Sequence, residues 1–140
     1  MITEDYVSLE IAKLLKEKGF NELCRLYYDK YHGYVPIFVE DSKLTKYGYK
    51  ELVRNDQNSI SDFIASAPSL YVTMKWLREE KKLNCIIDVS FNQDKNGETE
   101  YYFCVWENKS PYELLRESST FSIYEEACEA AIKYCLENLI

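Results

Sequence analysis

The residues able to do chemistry are few, and none stands at a diagnostic spacing. His32 is the only histidine. A histidine metal site needs Cys or carboxylate partners at ligand spacing, and none accompanies it. A Cys–His nucleophile pair would have to join His32 to Cys24 or to another of the five cysteines, at 24, 85, 104, 128 and 135. A turn histidine among tyrosines is the simpler account of His32. No CxxC, P-loop, GxGxxG, HExxH or GxSxG occurs, and four glycines leave little material for a phosphate-cradling loop. Glu79-Glu80 and Glu125-Glu126 are adjacent on expected helices, where neighbouring side chains diverge and do not meet at one atom. The expectation is no catalytic residue, no metal and no cofactor. A non-catalytic protein-interaction module fits best. The alternative is a small-molecule binder or small enzyme whose site is assembled from residues that sequence alone does not pair.

Tyrosine is the one type in unusual supply, thirteen in 140 residues. Tyr27, Tyr28, Tyr31, Tyr34, Tyr47 and Tyr49 crowd the N-terminal half. Tyrosine offers a large contact area at low entropic cost and is enriched in binding surfaces. Two readings follow. These rings are strand residues covering a sheet, or Tyr27, Tyr28, Tyr31, His32 and Tyr34 form a surface for a protein partner.

Charge narrows the partner classes. The net charge is −7. A phosphate-backbone binder gains affinity by neutralising phosphates with cations, so this chain has the wrong sign for nucleic acid. Anionic membrane surfaces are disfavoured for the same reason. A basic partner, or solubility alone, suits the surplus. An odd number of cysteines without CxxC reads as free, mostly buried thiols in a reducing compartment. The start, MITEDYVSLE, has no basic and apolar leader pattern, and no run approaches the ~20 apolar residues of a membrane span. The chain therefore reads as cytoplasmic, a monomer or weak homodimer, with one domain spanning 1–140.

The elements that must position these residues are clearer. Ser8 caps a helix over LEIAKLLKEK, and Gly19 supplies its left-handed stop with Phe20 folding back. Residues 24–40 read as a hairpin around a DKYHG turn, with Pro36 at a strand start or edge. Residues 41–66 are polar and read as loop, with a loop or short helix around Tyr49–Arg54. Pro68 suits the first position of a second helix, PSLYVTMKWLREEKK, with Leu70, Met74 and Leu77 on one stripe and Val72 and Trp76 on another. Asn96-Gly97 predicts a two-residue hairpin loop. That register puts Phe91 opposite Tyr102, Val89 opposite Cys104 and Ile87 opposite Trp106, all six on one covered face. Residues 110–118 alternate as a third strand, against a competing helix start at Ser110. Ser122 and Glu125 form a capping box for a closing helix. Its apolar side, with Ile123, Ala127, Cys128, Ala130, Ala131, Ile132, Tyr134, Cys135 and Leu139, spans an arc of ~200°. Glu125, Glu126, Glu129 and Glu137 fill the solvated remainder.

The fold class read from these elements is α+β, a small antiparallel sheet covered by helices. The segments APSLYVTMKWLRE (67–79) and SIYEEACEAAIKYCLENLI (122–140), with SLEIAKLLKEKGF and YYD before them, resemble a group of short proteins from gut anaerobes and their prophages. The resemblance covers most of the chain outside 41–66. It implies a gut-bacterial or mobile-element origin and carries no activity. The α-β-β-β-α order from Pro68 onward is also similar to the double-stranded RNA-binding domain. That family places lysines at the start of its second helix, where Glu125 and Glu126 stand here, so the likeness implies the order of elements without RNA binding.

Overall fold

Ser8 starts the first helix as its residue type dictates. In the computed structural model its side chain accepts a hydrogen bond from the Ile11 N–H at 3.4 Å, and helix α1 runs over Leu9–Glu17. The helix stops through two crossed bonds. The Gly19 N–H donates to the Lys16 carbonyl (3.2 Å) and the Phe20 N–H to the Leu15 carbonyl (2.9 Å). Gly19 holds φ at +90°, where an L side chain is strained, and Phe20 is thereby turned into the core and fully buried.

The structure describes residues 2, 4–33, 36–38, 52–56 and 62–140. Among them, three helices and two antiparallel sheets make an α+β fold in two compact units, Met1–Ser69 and Leu70–Ile140.

In the first unit, strands β1 (Leu26–Asp29), β2 (Ile37–Phe38) and β3 (Phe63–Ser66) form a sheet in the order β2-β1-β3. The expected hairpin is present: Leu26 pairs Phe38 and Tyr27 pairs Ile37. Pro36 sits just ahead of β2, the edge strand of this sheet among the described residues, where its missing N–H costs no ladder bond to β1. Strand β3 falls inside the stretch read as loop. Its four residues show no alternation, and the Asn55 side chain helps to hold it, donating to the Phe20 carbonyl (2.7 Å) and accepting from the Ser66 N–H (2.9 Å). Of the region read as loop or short helix, 49–51 lie outside the described residues. Val53 is extended and exchanges two backbone bonds with Cys24, each 2.8 Å.

The second unit opens with α2 (Leu70–Glu80), which begins two residues after Pro68 and not upon it. The Pro68 carbonyl is occupied elsewhere, accepting the Val7 N–H at 3.0 Å. Leu70, Thr73, Trp76 and Leu77 are the buried side of this helix. Strands β4 (Leu83–Asn92), β5 (Glu98–Glu107) and β6 (Glu113–Glu117) follow as an antiparallel meander, and α3 (Tyr124–Asn138) closes the unit. Residues 113–117 are thus the third strand, completing α-β-β-β-α.

Two details of the sequence reading are corrected. The hairpin loop is five residues long, a 3-10 turn over Gln93–Lys95 followed by Asn96 and Gly97, both at positive φ. Ile87 therefore pairs Phe103, Val89 pairs Tyr101 and Ile86 pairs Cys104. An odd shift turns one strand over relative to the other. The covered face carries Leu83, Cys85 and Ile87 with Phe103 and Val105, while Tyr102, Cys104 and Trp106 lie on the opposite face. The second correction is at α3. Its N-cap is Ile123 without a side-chain hydrogen bond, so the Ser122 capping box is not made. Phe121 is held extended by two backbone bonds with Tyr101 (2.8 and 2.6 Å), which keeps Ser122 out of the cap position. Most of the wide apolar arc of α3 is covered: Ala127, Cys128, Ala131, Ile132 and Cys135 are buried and Ala130, Tyr134 and Leu139 half-buried, whereas Ile123 is 50% exposed and Leu136, outside the expected arc, is buried. The helix lies on the covered face, with Tyr134 6.3 Å from the Phe103 ring and Arg116 over Tyr134 at 5.5 Å.

Candidate functional site

The tyrosines expected at a binding surface separate into different environments. Tyr28 is buried, and its hydroxyl donates to the Val7 carbonyl at 2.7 Å. Tyr27 is buried and stacks on Phe63 at 5.7 Å. Both rings serve the core of the first unit, as strand residues covering a sheet would. Tyr31 is 78% exposed. Tyr34, Tyr47 and Tyr49 lie outside the described residues.

His32 belongs to a turn built on Asp29. The Asp29 carboxylate accepts the N–H groups of Tyr31 (3.0 Å) and His32 (2.8 Å), and His32 Nδ1 lies 2.8 Å from the same oxygen. This is the local bonding that Asp favours in turns. Burial pushes the Asp29 carboxyl up, but the side-chain and backbone bonds from His32, its charge and the Tyr31 N–H outweigh it and hold the group below its ordinary value. A carboxylate depressed on folding contributes stability above its unfolded pKa of about 3.9 and loses it as pH falls through the lower folded value. The Tyr31 and His32 amides are therefore expected to lose hydrogen-exchange protection below about pH 4, with Asp29→Asn removing that dependence. Protection unchanged down to the acid limit would contradict the assignment.

His32 and Cys24 each bond to another group. The His32 ring nitrogen engages Asp29, and Cys24 Sγ lies 3.6 Å from the Glu22 carbonyl. Burial pushes the Cys24 thiol up to about 11, which leaves little thiolate at neutral pH. Among the described residues no group of three or more His, Cys, Asp or Glu could hold a metal ion, and no helix is long and apolar enough to cross a membrane.

The feature that sequence reasoning placed on the wrong side is the open face of β4-β5-β6. Pairing puts Ile86 beside Cys104, Asp88 beside Tyr102, Trp106 beside Leu114 and Cys104 beside Glu117. Ile86 is 49% exposed and Leu114 is 41% exposed, with Tyr102, Cys104 and Trp106 half-buried between them. Acid surrounds this strip. The Tyr102 hydroxyl donates to Asp88 at 3.3 Å, and the Asp88 charge is the first cause raising that phenol above its ordinary value. Burial, then the Glu117 and Asp88 charges, push the Cys104 thiol up. Lys95 meets Glu100 at 3.2 Å at the turn end, and the one cation of β6, Arg116, lies on the covered face over Tyr134. The face is an apolar and aromatic strip in a negative field. The period-2 pattern of Ile86, Asp88 and Ser90 was the available signal, but the register error assigned their neighbours elsewhere.

No family model matches the chain, and neither the curated proteins nor the solved structures yield a match.

Proposed function

We propose that this chain is a non-catalytic protein-interaction module of phage or mobile-element origin, acting in the cytoplasm. It docks a basic partner segment on the open face of β4-β5-β6. The observation that carries the reading is the strip of Ile86, Cys104, Trp106 and Leu114 flanked by Asp88 and Glu117. Apolar side chains of a partner would cover the strip, and its Lys or Arg side chains would meet the carboxylates. Charge complementarity of this kind sets the on-rate and suppresses wrong partners. A nucleic acid has no place in the reading, because the face offers carboxylates where phosphates need cations. The prophage resemblance of 67–79 and 122–140 supports the origin. A tyrosine surface at 27–34 has less support, since Tyr27 and Tyr28 are core residues.

The test uses a strand-forming peptide of alternating Leu and Lys as probe. Trp76→Phe leaves Trp106 as the sole tryptophan. Its emission is expected to shift to the blue on binding, with affinity falling as salt rises. The double change Asp88→Asn and Glu117→Gln should weaken binding about tenfold, near 1.4 kcal/mol. No change in Trp106 emission at about 1 mM peptide, the weak end of measurable affinity, would overturn the proposal. Equal response to a Leu/Glu peptide would do the same.

A further inference from the structure

The covered side of the same sheet holds a second kind of chemistry. Cys85 Sγ on β4 and Cys135 Sγ on α3 lie 3.5 Å apart. We propose that these thiols form a modification site, which a hydroperoxide converts to a disulfide clamping β4 to α3. A disulfide needs about 2.05 Å between sulfurs, so closure asks for about 1.5 Å of approach. Cys135 is fully buried, whereas Cys85 is half-buried and gives the oxidant its access. The other cysteines are placed differently. Cys104 is on the opposite face of the sheet, Cys24 is in the first unit, and Cys128 lies two turns earlier on α3 beside the Tyr124 hydroxyl.

The order of attack follows from the two environments. The hydrogen bond shared with Cys85, lost if Cys135 gives up its proton, and then burial raise the Cys135 thiol above its ordinary value and keep it protonated. Cys85 sulfur attacks the terminal peroxide oxygen, the O–O bond breaks, and the alcohol leaves with the Cys85 proton. The product is a Cys85 sulfenic acid. Cys135 sulfur then attacks the Cys85 sulfur, the S–S bond forms, the S–O bond breaks, and water leaves with the Cys135 proton. Two thiols have been oxidised and one peroxide reduced.

The test is a peptide map of the native protein treated with tert-butyl hydroperoxide, alkylated and digested with trypsin without reduction. Cleavage after Lys82, Lys95 and Lys133 isolates Cys85 in 83–95 and Cys135 in 134–140. These two peptides are expected joined, two hydrogens lighter than their sum, as the dominant new product. The melting temperature should rise by about 10 °C, since the link closes a long loop, and fall back with dithiothreitol. Cys85→Ser should abolish the rise. Oxidation of Cys85 to sulfinic acid without the link would overturn the proposal. So would scrambled pairing like that of urea-unfolded protein, or a Cys104-linked dimer as the main product.

Discussion

A chain ended after Phe121 is expected to lose the cooperative melting of its second unit. Helix α3 contributes six buried side chains to the covered face, among them Ile132 and Leu136 with no exposed surface. Truncating one such residue to Ala costs about 2–5 kcal/mol. Ile132 and Leu136 together account for about 4–10 kcal/mol, comparable with the 5–15 kcal/mol that typically separates folded from unfolded domains, and the rest of the helix is lost with them. Both tryptophans, Trp76 and Trp106, belong to this unit, so their fluorescence reports it directly. The expected trace is a shallow, non-cooperative change with temperature. A sharp transition in the truncated chain would show that β4-β5-β6 holds its structure without α3. Ile132→Ala supplies the graded version, a loss of about 2–5 kcal/mol with the transition still cooperative.

Phe20→Ala is expected to destabilise the first unit by about 3–5 kcal/mol. Phe20 is fully buried, and the crossed bonds after α1 deliver it to the core. Gly19→Ala is the informative comparison. An added Cβ there meets nothing within 4 Å, so its cost is the strain of φ at +90° alone, about 1 kcal/mol. Amide hydrogen exchange over α1 and β1 separates the two. Equal losses would mean that the dihedral, and not the ring, dominates this corner.

The limits of the sequence reading have physical causes. The start and stop of α1 were legible because Ser8, Gly19 and Phe20 act within one turn of the helix they control. Helix α3 was legible as a wide apolar arc, yet its first residue was not, because Phe121 is fixed by Tyr101, twenty positions away in sequence. The β4–β5 register failed for a related reason. Residues 101–106 read YYFCVW, apolar at both parities, so alternation could not choose the covered face. Asn96 and Gly97 do adopt the positive φ that a two-residue loop needs, but the 3-10 turn before them takes three more residues. The open face, and with it the candidate site, inherited that ambiguity. Strand β3 was hidden because four residues, FIAS, are too few to show a period.

The order of elements in the second unit also has a consequence for synthesis. Strands β4, β5 and β6 leave the ribosome before the helix that covers them. The span from Ser118 to Asn138 follows at about 5–20 residues per second, so the nascent sheet spends roughly 1–4 seconds with Phe103 and Val105 bare. During that interval the growing chain presents two apolar sides, of which only one will later be sealed. A holding chaperone that recognises extended apolar strands would find its strongest target there, between completion of β6 and docking of α3.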